Sequence, residues 1–395
     1  MPLEAGTSPS RRRIRLRRLA AIALLPALAA AGFGVAQVAD TDADSPPAAD
    51  PPATANAPAQ PAPKPAVQPP AHPKTRPGSN PSALPGNVLV ADKANNRLLE
   101  IDPYGRVVWR FPRPGDLAPS QTFQVPDDAF YTPNGRSIVA TQEDDFAISA
   151  VDVAHHRISY RYGVPGVPGS SADHLYNPDD AIMLPGGQIL TADIKNCRLL
   201  VLQPPSHSPV RQIGSTAGCI HNPPRDFGSP NGAFPASNGN TIVTEITGDW
   251  VDVLSPSGQL LHAVHAPGFT YPSDTNQLRH GVFLSVDYTS PGAIETFNTK
   301  GQLLWRFAPK GANALDHPSL AIPLPNGDIL ANDDYNDRVI VVDPQTNRIV
   351  WQYGHTDRPG TRPGYLNTPD GMDFLPLSAA RRHPAIARLV IRSRR

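Results

Sequence analysis

The residues best placed to do chemistry are carboxylates that recur behind one landmark, a proline followed by acidic or small residues. It reads Pro126-Asp127-Asp128, Pro178-Asp179-Asp180, Pro230-Asn231-Gly232, Pro272-Ser273-Asp274, Pro318-Ser319-Leu320 and Pro369-Asp370-Gly371, at gaps of 52, 52, 42, 46 and 51 residues. If the six sites converge, several carboxylates face one axis and repel unless a cation, protons or water intervene. Oxygen donors of this kind suit a hard cation, so calcium is the candidate cofactor, with Asp127, Asp179, Asn231 and Asp370 as ligands. The same acids could instead cap strand ends and turns by accepting from backbone N–H groups.

His317, His174 and His221 lie one, four and nine residues before their prolines. Three imidazoles around one opening could bind zinc; their unequal offsets also fit solvated loop histidines. The loops 162–180 and 353–371 both run through Pro-Gly pairs toward a landmark, and long loops on a rigid scaffold are where binding residues sit. Asp128, Asp180, His174, Tyr176, His317 and Tyr365 are therefore the candidate ligand-binding residues, with packing as the other reading of the two tyrosines. No Gly-x-Ser-x-Gly, His-Glu-x-x-His or phosphate-cradling glycine loop is present, so no catalytic constellation is complete.

The landmark belongs to a repeat that must position these residues. After most landmarks comes a turn (TPNG 132–135, LPGG 184–187, SNG 237–239, LPNG 324–327), then an apolar strand such as SIVAT or DILAND. Asn-Gly and Gly-Gly supply the positive φ that tight hairpins need. A further strand follows, then a fourth with an aromatic pattern: VVWRF (107–111), ISYRY (158–162), LLWRF (303–307), IVWQY (349–353). Four short strands every 40 to 50 residues are the sign of a β-propeller blade. The first unit has three strands and no landmark, and the last landmark, TPDGMDFLPL (368–377), has nothing after it. Together they complete one blade. The expectation is an all-β, six-bladed β-propeller over residues 86–377, closed by the C-terminal strand pairing with the N-terminal blade, which removes exposed sheet edges.

VLVADKANNRLLEID resembles an NHL repeat, carried by Asp92, Asn95 and Arg97; the spacing recurs at Asp193, Asn196, Arg198 and at Asp333, Asn336, Arg338. Gln142, Glu245 and Asp287 stand at the Asp position of the other units without the Asn and Arg. The resemblance implies a propeller and leaves the activity open. Physically, the Asn is expected to take the left-handed turn conformation, with Asp and Arg pairing across the hairpin. The aromatic fourth strands are similar to quinoprotein and arylsulfotransferase propellers. Six blades instead of eight, separated cysteines, and Pro-Asp where the latter family has His all depart from those patterns. The aromatics read as outer-strand packing.

Net charge is zero, with 35 Lys+Arg against 35 Asp+Glu, but it is unevenly laid out: 83–375 is acidic and both ends are basic. An acidic folded part argues against a nucleic-acid partner. Residues 1–18 carry six arginines and precede an apolar run, 19–39, the pattern of a signal peptide or transmembrane anchor. Residues 40–85, rich in Pro and Ala, read as a disordered linker; as polyproline II it would reach up to roughly 140 Å. The basic tail 378–395 could touch anionic polymer or lipid, or simply be solvated. The location implied is extracytoplasmic, anchored through 19–39 or secreted after cleavage. There Cys197 and Cys219, the only two cysteines, are expected to form a disulfide, a reactive thiol being the alternative. The leading functional reading is a tethered propeller binding a ligand or envelope protein at its channel mouth. The alternatives are a metal-dependent enzyme of NHL or lactonase type and a purely structural envelope protein.

Overall fold

The computed structural model describes residues 79–374, apart from Ser237 and His280. The basic start, the apolar run, the linker up to residue 78 and the tail 378–395 lie outside the described residues. Among the described residues no helix is long and apolar enough to cross a membrane; all helical segments are 3₁₀ turns of three residues.

Twenty-four strands form six four-stranded antiparallel sheets arranged as a six-bladed propeller. Each blade runs from an inner strand at the axis to an outer strand at the rim. The inner strands are Pro369–Phe374 (blade one), Pro126–Tyr131 (two), Pro178–Met183 (three), Pro230–Pro235 (four), Pro272–Arg279 (five) and Ala321–Pro323 (six). The ring closes as expected: Val88 pairs with Phe374 and Val90 with Met372, so the C-terminal strand is the inner strand of the first blade. One difference from expectation lies at the N-terminal edge. Residues 79–85, assigned to the linker, are ordered against the outer strand of blade six: the Asn80 N–H donates to Val350 O at 2.7 Å, and Ala83 and Leu84 join the core.

Two features of the sequence make neighbouring blades adhere. Middle strands such as Val88–Asp92 and Arg97–Ile101 are buried at every position, since each is sandwiched between adjacent sheets. The outer-strand aromatics then reach the following blade. The indole N–H groups of Trp109, Trp305 and Trp351 donate to Val153 O (3.1 Å), Asn347 Oδ1 (2.7 Å) and Pro103 O (2.9 Å), and the Tyr160 hydroxyl to Ser206 O (2.8 Å). Their bodies bury apolar area while their polar edges find partners, as buried Trp and Tyr require.

The axis is not an open pore. Phe130 and Phe234 meet edge to face at 5.6 Å from the inner strands of blades two and four, in one buried cluster with Met372. They close the axis on the far side of the acidic landmarks, which therefore line a cup.

Candidate functional site

The two residues after each landmark proline form two tiers around the axis. The first tier is Asp127, Asp179, Asn231, Ser273, Ser319 and Asp370; the second is Asp128, Asp180, Gly232, Asp274, Leu320 and Gly371. In a regular strand successive side chains point to opposite faces. Here the pairing with the second strand slips at the landmark in blades one to five, for example between Pro126 and Ala129 and between Pro178 and Ala181. Such bulges re-aim side chains and let consecutive aspartates share the axis. The residue before the proline adopts positive φ in five blades: Val125 (42°), Asn177 (54°), Ser229 (61°), His317 (57°) and Thr368 (51°). Non-glycine residues in that region cost of order 1–3 kcal/mol each and cluster at functional sites.

The second tier brings Asp128, Asp180 and Asp274 together, with ligand-capable oxygens all within 4.8 Å of one another. All three are at most 4% exposed. The Asp180 Oδ2 accepts from Ala233 N at 2.8 Å; Asp128 Oδ1, Asp180 Oδ1 and Asp274 Oδ1 meet no N–H or hydroxyl donor, only the neighbouring carboxyls, Asp274 lying within hydrogen-bond reach of Asp180 and Asp179 of Asp128. The two glycines of this tier make the convergence possible. A Cβ at Gly232 would stand 2.7 Å from Asp274 Oδ1, and one at Gly371 would stand 2.5 Å from Asp128 Oδ1. Burial, with the neighbouring acids adding to it, pushes Asp180 and Asp274 well above the usual carboxylate range and Asp128 up to about 7.

The first tier has a counter-charge that the landmarks do not show. Lys93, from the turn after the second strand of blade one, extends its ammonium to Asp127, to Glu143 Oε2 at 2.8 Å and to Asp370 Oδ2 at 2.7 Å. One ammonium cannot hold three carboxylates ionised. Burial opposes ionisation at Asp370, yet Lys93 outweighs it and draws that carboxyl down to about 2. Asp127 is pushed up by burial and by the Asp370 charge. Burial alone would lower the Lys93 ammonium; the three acids together raise it well above its ordinary value. Asp179 is raised by burial and by Asp274 and Asp128, and forms a second compact group with Asp127 and Asp128.

Of the expected metal ligands, Asp127 and Asp179 are thus brought together, and Asp127 and Asp370 are both held by Lys93. Asn231 turns its amide to Ser273 Oγ at 3.0 Å. Among the expected ligand-binding residues, Asp128 and Asp180 sit in the cluster. The histidines do not gather, because each has its own carboxylate: His174 Nδ1 lies 2.7 Å from Asp173 Oδ1, His317 Nδ1 2.6 Å from Asp316 Oδ1, and His221 Nδ1 3.1 Å from Glu245 Oε1. His317 packs edge-on against Tyr288 and Tyr335. Tyr365 stacks on His355 at 4.2 Å, and Tyr176 packs on Phe146 with Lys195 over its ring.

The Asp-x-x-Asn-x-Arg motif does pair across its hairpin: Arg97, Arg198 and Arg338 donate to Asp92, Asp193 and Asp333 at 2.6, 2.8 and 2.7 Å. Its Asn does not take the left-handed conformation. The residue after it does (Asn96, Cys197, Asp337), because Asn95, Asn196 and Asn336 are spent bonding the motif Asp and a carbonyl of the loop entering the blade. The motif thereby staples each entering loop. Cys197 and Cys219 form the expected disulfide, with Cα atoms 5.3 Å apart.

Lys93, Glu143, Tyr288 and Asp334 were missed by reading landmarks alone. All four are the residue following the end of a second strand. The signal was present one position after the motif Asp: this register faces the mouth in blades one, two, five and six.

No protein-family model matches this chain, and no curated protein does. Among solved structures, a protein of unknown function from Bacteroides caccae superposes with a TM-score of 0.51 at 16% identity, covering 73% of this chain and 98% of that one. The virginiamycin B lyase of Staphylococcus aureus gives 0.41 at 14%, covering 57% and 68%, and the WD40 propeller domain of Doa1 gives 0.45 at 11%, covering 68% and 79%. At such identities the likeness to the Bacteroides caccae protein is one of fold.

Proposed function

We propose that this chain is an exported, membrane-tethered propeller that binds a ligand or partner protein at the open end of its channel, with a calcium-type ion held among Asp128, Asp180 and Asp274. The observation that carries this reading is the second tier itself: three buried carboxylates from three blades, each with an oxygen that meets no N–H or hydroxyl donor. Burying one such group without a partner is costly, and three close together more so. A divalent cation with oxygen ligands at 2.3–2.6 Å would satisfy all three at once. Asp127 and Asp179 extend the donor set through Asp128. Because Phe130 and Phe234 close the far side, the occupant enters from the mouth, past Lys93 and the rim of Tyr288, Tyr335 and His317.

The location rests on the arginine-rich start, the apolar run and the Pro/Ala segment, and it accords with a disulfide, which persists in oxidising compartments. Thermal unfolding of the full-length chain in chelator and in millimolar calcium tests the site. A rise of several degrees in calcium, lost in Asp128→Asn/Asp274→Asn, supports it; an unchanged midpoint in the wild type overturns it.

A further inference from the structure

In blades one, three and six the Asp that ends the second strand holds a guanidinium, which also grips the loop entering the blade: Arg97 bonds Thr361 O, Arg198 bonds Ser170 O and Arg338 bonds Asn313 O. Blade four departs from this plan. Its second strand ends in Glu245, and the residue opposite, an arginine in those three blades, is Trp250. Asp252 stands two residues further along the third strand, on the same face as Glu245. Both carboxylates are fully buried, and among the described residues neither has a Lys or Arg ion-pair partner.

The entering loop instead sends in a side chain of its own. His221 Nδ1 lies 3.1 Å from Glu245 Oε1 and 3.8 Å from Asp252 Oδ2. Asp252 lies within hydrogen-bond reach of Glu245, and no N–H or hydroxyl group donates to either of its oxygens. The other Glu245 oxygen accepts the Gly228 N–H, and a Cβ at Gly228 would stand 2.8 Å from that oxygen, so the close approach depends on glycine. The imidazole is stacked on Trp250 with centroids 4.0 Å apart and planes within 6°. Its ring, and hence the direction of Nδ1, is fixed.

One imidazole nitrogen and two carboxylate oxygens are the donor set of a first-row transition ion. Tetrahedral zinc, with bonds of about 2.0–2.1 Å, sets its ligand atoms roughly 3.3–3.5 Å apart; the observed 3.1 and 3.8 Å bracket that spacing. We propose that His221, Glu245 and Asp252 form a zinc-type site, which does in blade four what the motif guanidinium does in blades one, three and six. It ties the entering loop to its blade, while the Cys197–Cys219 disulfide, with Cys219 two residues before His221, ties the same loop to blade three. This site shares no residue with the axial cluster and does not depend on it.

The test uses the full-length chain, stripped with chelator and dialysed against zinc, with bound metal read by elemental analysis. About one zinc per chain is expected in the wild type and in Asp128→Asn/Asp180→Asn/Asp274→Asn. Binding about a hundredfold weaker is expected in His221→Gln, and recovery in His221→Cys, which restores a zinc donor. Zinc should also slow trypsin cleavage after Arg225, an exposed loop residue, by about tenfold in the wild type; this readout stands even if a variant does not fold. A folded wild type that takes up no zinc, or His221→Gln with unchanged affinity, overturns the proposal.

Discussion

The Lys93 ammonium donates to Asp370 Oδ2 at 2.7 Å, joining the first blade's turn to a strand 277 residues later. The same ammonium reaches Asp127 and Glu143 of blade two. Ring closure therefore has a polar component at the mouth as well as the ladder between Val88 and Phe374. Replacing Lys93 by Met leaves three acids without their shared cation. Removing one partner of a buried pair typically costs 3–5 kcal/mol, so Lys93→Met should unfold at lower temperature in chelator. If a divalent cation binds beside these acids, calcium should raise the variant's midpoint by more than it raises the wild type's. An equal or smaller rise would separate Lys93 from the cation site.

Gly232→Ala tests the convergence of the second tier. The new Cβ would crowd Asp274 Oδ1 at 2.7 Å, Thr244 Oγ1 at 3.2 Å and Asp180 Oδ2 at 3.3 Å. In an ordinary strand Ala would be preferred to Gly; here overpacking of about 1–3 kcal/mol is expected. Calcium affinity should fall at least tenfold, read by calorimetric titration. A variant as stable and as tight as the wild type would show that the carboxylates do not need this space.

Much of this was legible in the sequence, and the rest was hidden for specific reasons. Blade number and ring closure follow from the proline landmark, repeated six times, and from the hairpin turns that follow four of the landmarks, because both are local signals. The second tier was half visible: Asp128 and Asp180 were singled out, and Asp274 sits in the landmark, but the bulges that turn consecutive aspartates toward one axis depend on pairing between strands. Lys93 was invisible as a mouth residue because it follows a motif Asp that reads as structural. The blade-four cluster was hidden for the opposite reason: Glu245 looks like a degraded motif until His221, 24 residues earlier, is seen beside it.

Glu295 gives a pH test away from any metal ligand. Its Oε1 is bonded by Arg306, while the fully buried Oε2 meets no donor. Burial outweighs the guanidinium and raises the carboxyl from 4.5 to about 7. The folded state therefore holds a proton that the unfolded state has lost between these values, so this contribution to stability is complete below about pH 4.5 and disappears as pH rises through about 7. Glu295→Gln does not titrate. Its midpoint relative to the wild type should climb by a few degrees between pH 5 and pH 8. A constant difference across that range would contradict the assignment.

Asp333→Ala probes the motif staple. Arg338 is fully buried and would be left without its carboxylate, at a cost of about 3–5 kcal/mol in chemical denaturation. Arg338 and Asn336 also hold Asn313 O and Ala314 O. Limited proteolysis with thermolysin, which finds apolar sites in both loops, should therefore cut first in the loop 308–316 and leave the loop 164–177 intact. Uniform cleavage of both loops would argue that the motif does not act blade by blade.

Equilibrium dialysis of the full-length, chelator-stripped chain against radioactive calcium is the most direct test of the axial site. The account predicts about one calcium per folded chain, retained in His221→Gln and lost in Asp128→Asn/Asp180→Asn/Asp274→Asn. A folded wild type that binds no calcium, or a triple variant that still binds it, would contradict the account and leave the axial acids to share protons.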